Sequence, residues 1–317
     1  MPRASRSRPA GEMRARDYIT GEAFSLERAP EGWWVTTPAP DDGARYYGEV
    51  YYGQPGRRRF PALVESIQQQ LYRRRARKVM DAVGRAGRVL DVGCGPGHLL
   101  ACFAAAGWQA IGTEATHDAA AIPREKHGLN IKVGEVYEQG FNAGEFDAVV
   151  SWHSLEHMRA PGRVLDEVAR VLRPGGVLLL SVPDFGSPEA QANPAAWFHL
   201  DVPRHLCHFP AVVLRAELER RGLRIEGEST CAPEYDSFSL VQTWQNRLGL
   251  PHNLFYLVLK GVDRGHASGR QRVAAVLLGA AMLPIAAVVT ALRALRKTGA
   301  VIVFMARKIE SGPKPAP

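Results

Sequence analysis

The sequence predicts an α/β fold, a mostly parallel sheet covered by helices on both faces. Three observations carry that expectation. Short apolar runs alternate with helix-spaced segments between residues 85 and 235. A glycine-rich stretch, Asp91-Val92-Gly93-Cys94-Gly95-Pro96-Gly97, directly follows the first apolar run. A β-branched run closes the chain at 300–306, after a long apolar segment. Strands alternating with helices imply βαβ units, whose crossovers put helices on both faces of one sheet.

Residues 1–45 are rich in Pro, Gly, Arg and Ala with little periodicity, and a disordered tail is expected there. Met1 to Thr20 are polar and arginine-rich without an apolar stretch, so no secretory signal is read. Residues 46–84 read as an aromatic and helical segment. Tyr46, Tyr47, Tyr51 and Tyr52 are candidates for a lid or for plain surface aromatics. Arg57, Arg58 and Arg59 follow, then a helix over 61–83 bearing Arg73, Arg74, Arg75, Arg77 and Lys78. Such a basic run meets phosphate or is simply a solvated face.

The core is expected over 85–235, with strands at 88–92, 109–114, 130–134, 146–151, 177–182 and 223–229. Helices are expected at 97–106, 116–127, 161–172 and 210–221. The third of these places Val164, Leu165, Val168, Val171 and Leu172 at helical spacing. From 236 to 297 the pattern becomes an apolar helical insertion, residues 298–310 form the last strand, and 311–317 are a loose tail. A chain of 317 residues holds one large α/β domain with additions, or two modest ones. Its net charge is +8, and its four cysteines show no C-x-x-C spacing, which fits a reducing compartment and indicates no zinc or redox motif.

Parallel α/β sheets bind ligands at the carboxyl ends of their strands. Gly93, Gly95 and Gly97 let the backbone approach a ligand closely, and the next helix offers free N–H groups. A dinucleotide loop needs G-x-G-x-x-G, but counting from Gly93 the last position is His98. That failure disfavours a nicotinamide oxidoreductase. What stands here is D-x-G-x-G-x-G, which resembles the first motif of class I methyltransferases. Phe146-Asp147-Ala148-Val149-Val150-Ser151 is similar to the family's fourth-strand motif, and Leu172-Arg173-Pro174-Gly175-Gly176 to the turn before its fifth strand. The resemblance implies a Rossmann-like sheet of seven strands, the last antiparallel, and S-adenosyl-L-methionine as cofactor. It places Asp91, Gly93, Cys94, Gly95 and Gly97 on the methionine part, Glu114 on the ribose hydroxyls and Glu135 near the adenine, with Ser151 also at the cofactor. A carboxylate suits the ribose because it accepts two hydrogen bonds.

The residues after the strands narrow the acceptor. Amino-methylating nucleic-acid enzymes carry an Asp/Asn/Ser-Pro-Pro-aromatic motif after strand four, where this chain has Ser151-Trp152-His153-Ser154. Cytosine C5 enzymes need a Pro-Cys loop, and a nucleic-acid substrate is not expected. Two histidine groups stand where the acceptor pocket should form: Trp152-His153-Ser154-Leu155-Glu156-His157, and Trp197 to Phe209 with His199, His205 and His208. This pairing resembles bacterial O-methyltransferases of the ubiquinone-biosynthesis-like kind, also found among cell-surface glycan genes. A small or lipid-linked hydroxyl acceptor is the resulting expectation. His205 is the first candidate for general base and His157 the second, since histidine moves protons near neutral pH. The alternative is that these histidines cap helices or fill polar core positions. A metal site among His153, His157, His199, His205 and His208 is an open alternative without a recognisable ligand signature, and the expectation is no metal.

Residues 273–292 are uncharged and long enough to span about 30 Å of bilayer. A single crossing would strand the last β-strand on the wrong side. Pro284 divides the stretch, and basic residues flank it at both ends. The expectation is a monotopic or re-entrant hairpin on the cytoplasmic face of the membrane, helped by 248–262; a helical pair packed on protein or in a dimer is the alternative. A catalytically inactive cofactor-binding scaffold of the same fold is the rival to an active enzyme.

Overall fold

The computed structural model describes residues 13–40, 46, 62–262 and 267–309. Tyr47, Tyr51, Tyr52 and Arg57 to Arg59 lie outside the described residues.

The sheet forms where the apolar runs predict. Its strands are β4 (Arg88–Val92), β5 (Gln109–Glu114), β6 (Asn130–Val133), β7 (Phe146–Trp152), β8 (Leu172–Pro183), β10 (Leu223–Ser229) and β11 (Val301–Lys308). Their order is β10-β11-β8-β7-β4-β5-β6. β4 to β8 pair in parallel, while β11 inserts antiparallel between β8 and β10. Alternate residues face opposite layers, as the period of two requires. Leu90, Val92, Val149, Leu178 and Leu180 join one core cluster; Val89, Ala148, Val150, Val177 and Leu179 join the other.

Helices fill both layers. α1 (Ala62–Val83), α2 (His98–Ala105) and α3 (His117–His127) cover one face. α4 (Pro161–Val171) and α6 (Ala211–Arg220) cover the other, with the short α5 (Pro188–Ala192) between them in sequence. In α4 the predicted stripe of Val164, Leu165, Val168 and Val171 is fully buried. On α1, Ala76 and Val79 bury while Arg73, Arg74, Arg77 and Lys78 stay more exposed, so most of the basic run is a solvated face. Arg75 is half-buried, with its guanidinium 3.9 Å from the Trp152 ring centroid.

The expected disorder of 1–45 is corrected over its described part. β1 (Met13–Arg16), β2 (Ala23–Arg28) and β3 (Trp34–Thr37) form an antiparallel sheet, completed by β9 (Cys207–His208). Ala15, Phe24, Leu26 and Trp197 build a small core beneath it, and Tyr46 packs there against Phe24. These strands are too short to announce themselves by alternation. Their partner strand lies about 170 residues downstream, and long-range pairing outweighs weak local preference.

The apolar helical insertion before the last strand is present, but the expected division at Pro284 is corrected. α7 (Pro233–Arg247), α8 (Leu254–Leu259) and α9 (Gly269–Arg296) form a helical layer beside the sheet. α9 runs unbroken through Pro284, so no re-entrant bend occurs within 273–292. Among the described residues α9 is the one helix long and apolar enough to cross a membrane. One stripe, Ala275, Gly279, Ala286 and Thr290, is buried against the protein, and the Gly279 position lies against the Phe255 ring. Arg293 fixes the far end through a 2.6 Å bond to buried Glu189.

Candidate active site

The loop between β4 and α2 is built from backbone that only glycine adopts cheaply. Gly93, Gly95 and Gly97 have φ of 68°, 53° and 76°. A Cβ on Gly93 would lie 2.7 Å from that of Ser154, and one on Gly97 would lie 2.7 Å from Leu129 and Pro123. At Gly95 a Cβ would meet nothing within 4 Å, so the loop there faces open space. Ser154 braces the loop from behind, donating to the Val92 carbonyl at 2.6 Å and pairing with Ser151 at 2.8 Å. Ser151 is buried and acts on the loop through Ser154. Cys94 points its sulfur toward Gly112 of β5, and its N–H donates to the Thr113 carbonyl.

Two acids meet at this loop. Asp91, near the end of β4, is fully buried; burial first, then the charge of Glu114, pushes its pKa up to about 8. Glu114, at the end of β5, accepts a hydrogen bond from the Gly95 N–H, and burial raises its pKa. Glu135 is half-buried after β6, its own N–H bonded to Glu138, and burial with the Glu138 charge raises its pKa. The predicted acids therefore lie at the ends of β4, β5 and β6, along the carboxyl edge of the sheet.

Beyond β7 and β8 the two histidine groups converge, which spacing alone did not require. His157 places Nδ1 2.9 Å from the Arg204 carbonyl, and His205 places Nδ1 2.7 Å from that of His199. A carbonyl only accepts, so in the neutral rings each Nδ1 carries the proton and each Nε2 is the basic nitrogen. The two rings lie 4.8 Å apart, nearly perpendicular. Glu156 is buried beside them, its Oε1 3.2 Å from His153 Nδ1. Burial alone would raise its pKa, but the His153 hydrogen bond and the neighbouring imidazoles hold it down at about 2.

His199 and His208 are buried. The single Thr36 hydroxyl proton goes to the His205 carbonyl at 2.7 Å, so His208 must donate from Nε2 to Thr36 Oγ1 at 3.0 Å. Burial lowers the pKa of both His199 and His208 to about 3, which keeps them neutral. The loop that carries them is anchored by Arg204, a residue that no sequence motif singles out. It is only 1% exposed, binds Asp201 at 2.7 Å and Asp17 of the N-terminal sheet at 2.9 Å, and stacks over Tyr18.

A buried acid and a glycine turn at the end of the first parallel strand, an acid at the end of the next, and a seventh strand inserted antiparallel define a class I, S-adenosyl-L-methionine-dependent methyltransferase. The comparisons with known proteins agree. A family described as a methyltransferase domain matches residues 63–228, just over half of the chain, and the chain belongs to that family. It is 31% identical over 175 residues to the ubiquinone biosynthesis O-methyltransferase of Xanthomonas oryzae pv. oryzae, covering 51% of this chain and 70% of that protein. A methyltransferase of Mycolicibacterium vanbaalenii is 38% identical over 97 residues, covering 29% of this chain and 38% of the relative's length. Among solved structures, a SAM-dependent methyltransferase from Archaeoglobus fulgidus superposes with a TM-score of 0.51 at 17% identity, covering 84% of this chain and 100% of the other.

Proposed function

We propose that this methyltransferase acts on a hydroxyl acceptor, small or lipid-linked, and that it does so at a membrane surface. Asp91, Gly93, Cys94, Gly95 and Gly97 hold the methionine part of the cofactor, Glu114 the ribose and Glu135 the adenine side, with Ser151 bracing the loop. The observation that carries the acceptor class is the His157–His205 pair. Two imidazoles with basic Nε2 atoms stand at the same edge of the sheet as the glycine loop, where a hydroxyl needs to lose its proton. The sulfonium is already an excellent leaving group, so positioning and that proton are what the protein must supply. The hydroxyl oxygen takes the methyl group, its proton leaves by way of the pair, and S-adenosylhomocysteine departs. Resemblance to a ubiquinone biosynthesis O-methyltransferase supports an oxygen acceptor.

His205→Ala is expected to lower kcat by about 100-fold or more, with His157→Ala smaller in effect, and cofactor affinity unchanged in both. Assay with labelled cofactor against a membrane extract, alongside calorimetry of cofactor binding, reads both quantities. Full turnover in both variants would remove the proton-transfer role. Cofactor binding without transfer to any fraction would favour the inactive-scaffold reading.

The membrane part rests on the outer face of α9. Leu295 is 83% exposed, Leu277 65%, Val288 62% and Ile285 59%, an apolar surface of the kind that marks an interaction site. Arg270 and Arg272 at one end, and Arg296 and Lys297 at the other, suit an anionic lipid surface. α9 is held alongside α7 and α8, and only a short turn joins it to β11, which supports a helix lying in the interface plane rather than crossing. The protein is expected to float with vesicles containing anionic lipid. Leu277→Gln combined with Val288→Gln should reduce the bound fraction at least about fivefold without changing the fold by circular dichroism. No flotation, with a dimer by sedimentation that the double variant dissociates, would instead assign this face to a second copy.

A further inference from the structure

We propose that Glu156, His157 and His205 form a binding site for a divalent first-row transition cation. The inference deepens the hydroxyl-acceptor reading and rests on it for its chemical role, though not for its test.

Three independent observations point to the site. One ligand atom from each of the three residues lies within 4.8 Å of the other two. The residues come from two separate loops, after β7 and after β8, so the convergence is not a by-product of one helix face. Next, both imidazoles are held in the orientation metal ligands need. Each donates Nδ1–H to a backbone carbonyl, which fixes the tautomer and leaves Nε2 as the ligating nitrogen, the outer-shell arrangement usual at metal-bound histidine. Finally, Glu156 has a buried oxygen, Oε2, with no hydrogen-bond partner among the described residues, although its side chain is only 2% exposed.

Charge makes the same demand. The groups that face Glu156 are imidazoles, those of His153, His157 and His205, and none is a fixed cation. Arg204 is already shared by Asp201 and Asp17. Asp201 adds a further carboxylate 4.0 Å from His205 Nε2. A cation bound among these groups would compensate the buried Glu156 carboxylate.

The donor set selects the kind of ion. Two imidazole nitrogens and one carboxylate suit zinc, manganese, iron(II) or cobalt, whereas magnesium and calcium prefer oxygen alone. Bonds of about 2.0–2.2 Å would draw the three side chains inward. Two histidines and one carboxylate leave positions open, as at catalytic sites. An acceptor hydroxyl bound there would be acidified by the cation. Its oxygen would take the methyl group, the proton would leave to water, and S-adenosylhomocysteine would depart. In this form the histidines assist the proton's loss as ligands, with the cation between imidazole and hydroxyl.

The test is binding, read without any acceptor. Full-length protein is stripped with a chelator, dialysed, and titrated with Zn2+ by calorimetry and with Co2+ by visible absorption. The expected result is one equivalent of tightly bound ion, with the Co2+ spectrum of a nitrogen- and oxygen-coordinated centre. His205→Ala and Glu156→Gln should each weaken binding at least about 10-fold, and His117→Ala, on the opposite layer, should leave it unchanged. Cofactor affinity and circular dichroism confirm that each variant is folded; should His205→Ala not fold, His205→Gln replaces it. Fewer than about 0.1 equivalents of Zn2+ and Co2+ bound, or affinity unaltered by these ligand substitutions, overturns the site. If no ion binds while His205→Ala abolishes transfer, the imidazole acts on the hydroxyl directly and only the cation is lost. If the ion binds as expected but no hydroxyl is methylated, the acceptor reading falls and the site remains.

Discussion

Asp91→Asn is expected to weaken S-adenosylmethionine binding by about 100-fold, roughly 3 kcal/mol, while making the free protein more stable at pH 8 and above. In the proposed binding mode the carboxylate meets the cofactor's cationic methionine end, and an amide forfeits the charge-assisted hydrogen bond. The stability gain comes from burial. An Asp carboxyl ordinarily titrates at 3.8, and in the folded protein burial and Glu114 bring it to about 8. Between those values the native state holds a proton that the unfolded chain has released, so stability falls as pH rises from about 4 to about 8 and stays low above that. The amide of the variant does not titrate and has nothing to lose in that window. Thermal denaturation of the free protein across about pH 5–9 should show a slope that the variant flattens. The same logic predicts proton release when the cofactor binds. Near neutral pH its ammonium group converts a mostly neutral Asp91 to the carboxylate, releasing up to one proton; well above pH 8 little is left to release. Calorimetry in buffers of different ionisation enthalpy reads this directly, and equal heats in all buffers near neutral pH would contradict it.

Arg204→Met is expected to cost about 3–5 kcal/mol of stability, a fall in Tm of about 10 °C for a domain of this size. The guanidinium is fully buried between Asp201 and Asp17, and its removal leaves both carboxylates uncompensated. It also releases the N-terminal sheet from the loop that presents His205. Activity should therefore fall below the unfolding temperature too, while cofactor affinity changes little, because β4 and β5 do not touch this network. Arg204→Lys should recover only part of the loss, since an ammonium cannot bridge two carboxylates with a planar fork. If Arg204→Met melted within about 2 °C of the parent, Arg204 would not be the tie between sheet and loop.

The sheet and the cofactor turn were legible because their determinants are local. A continuous run such as Val177 to Val182 has one comfortable home, the centre of a covered sheet, and the boundaries of β4, β5 and β10 fall where their apolar runs begin and end. Positive φ at Gly93, Gly95 and Gly97 is written in the residue type itself. The uncharged stretch before β11 was equally plain in the sequence. Its shape was not, since a proline within a long helix can be accommodated when packing on one side holds the helix, as α7 and α8 do here. The N-terminal sheet was missed for a related reason. Met13 to Thr37 has weak alternation, and its stability is supplied by β9 and by Arg204, reached from Asp17 across 187 residues.

The chain's residue order by itself determined that a glycine turn backed by two acids would form at the edge of a parallel sheet, and with it the class of cofactor. Only the tertiary structure decided how the histidines are disposed. His199 and His208 are spent on the buried core and on Thr36, while His157 and His205 bring their ligand atoms together with Glu156. A side chain's chemical role depends on which of its atoms are already bonded and on what charge surrounds it. Those are properties of neighbours brought together from distant positions in the chain, and no local pattern of residues encodes them.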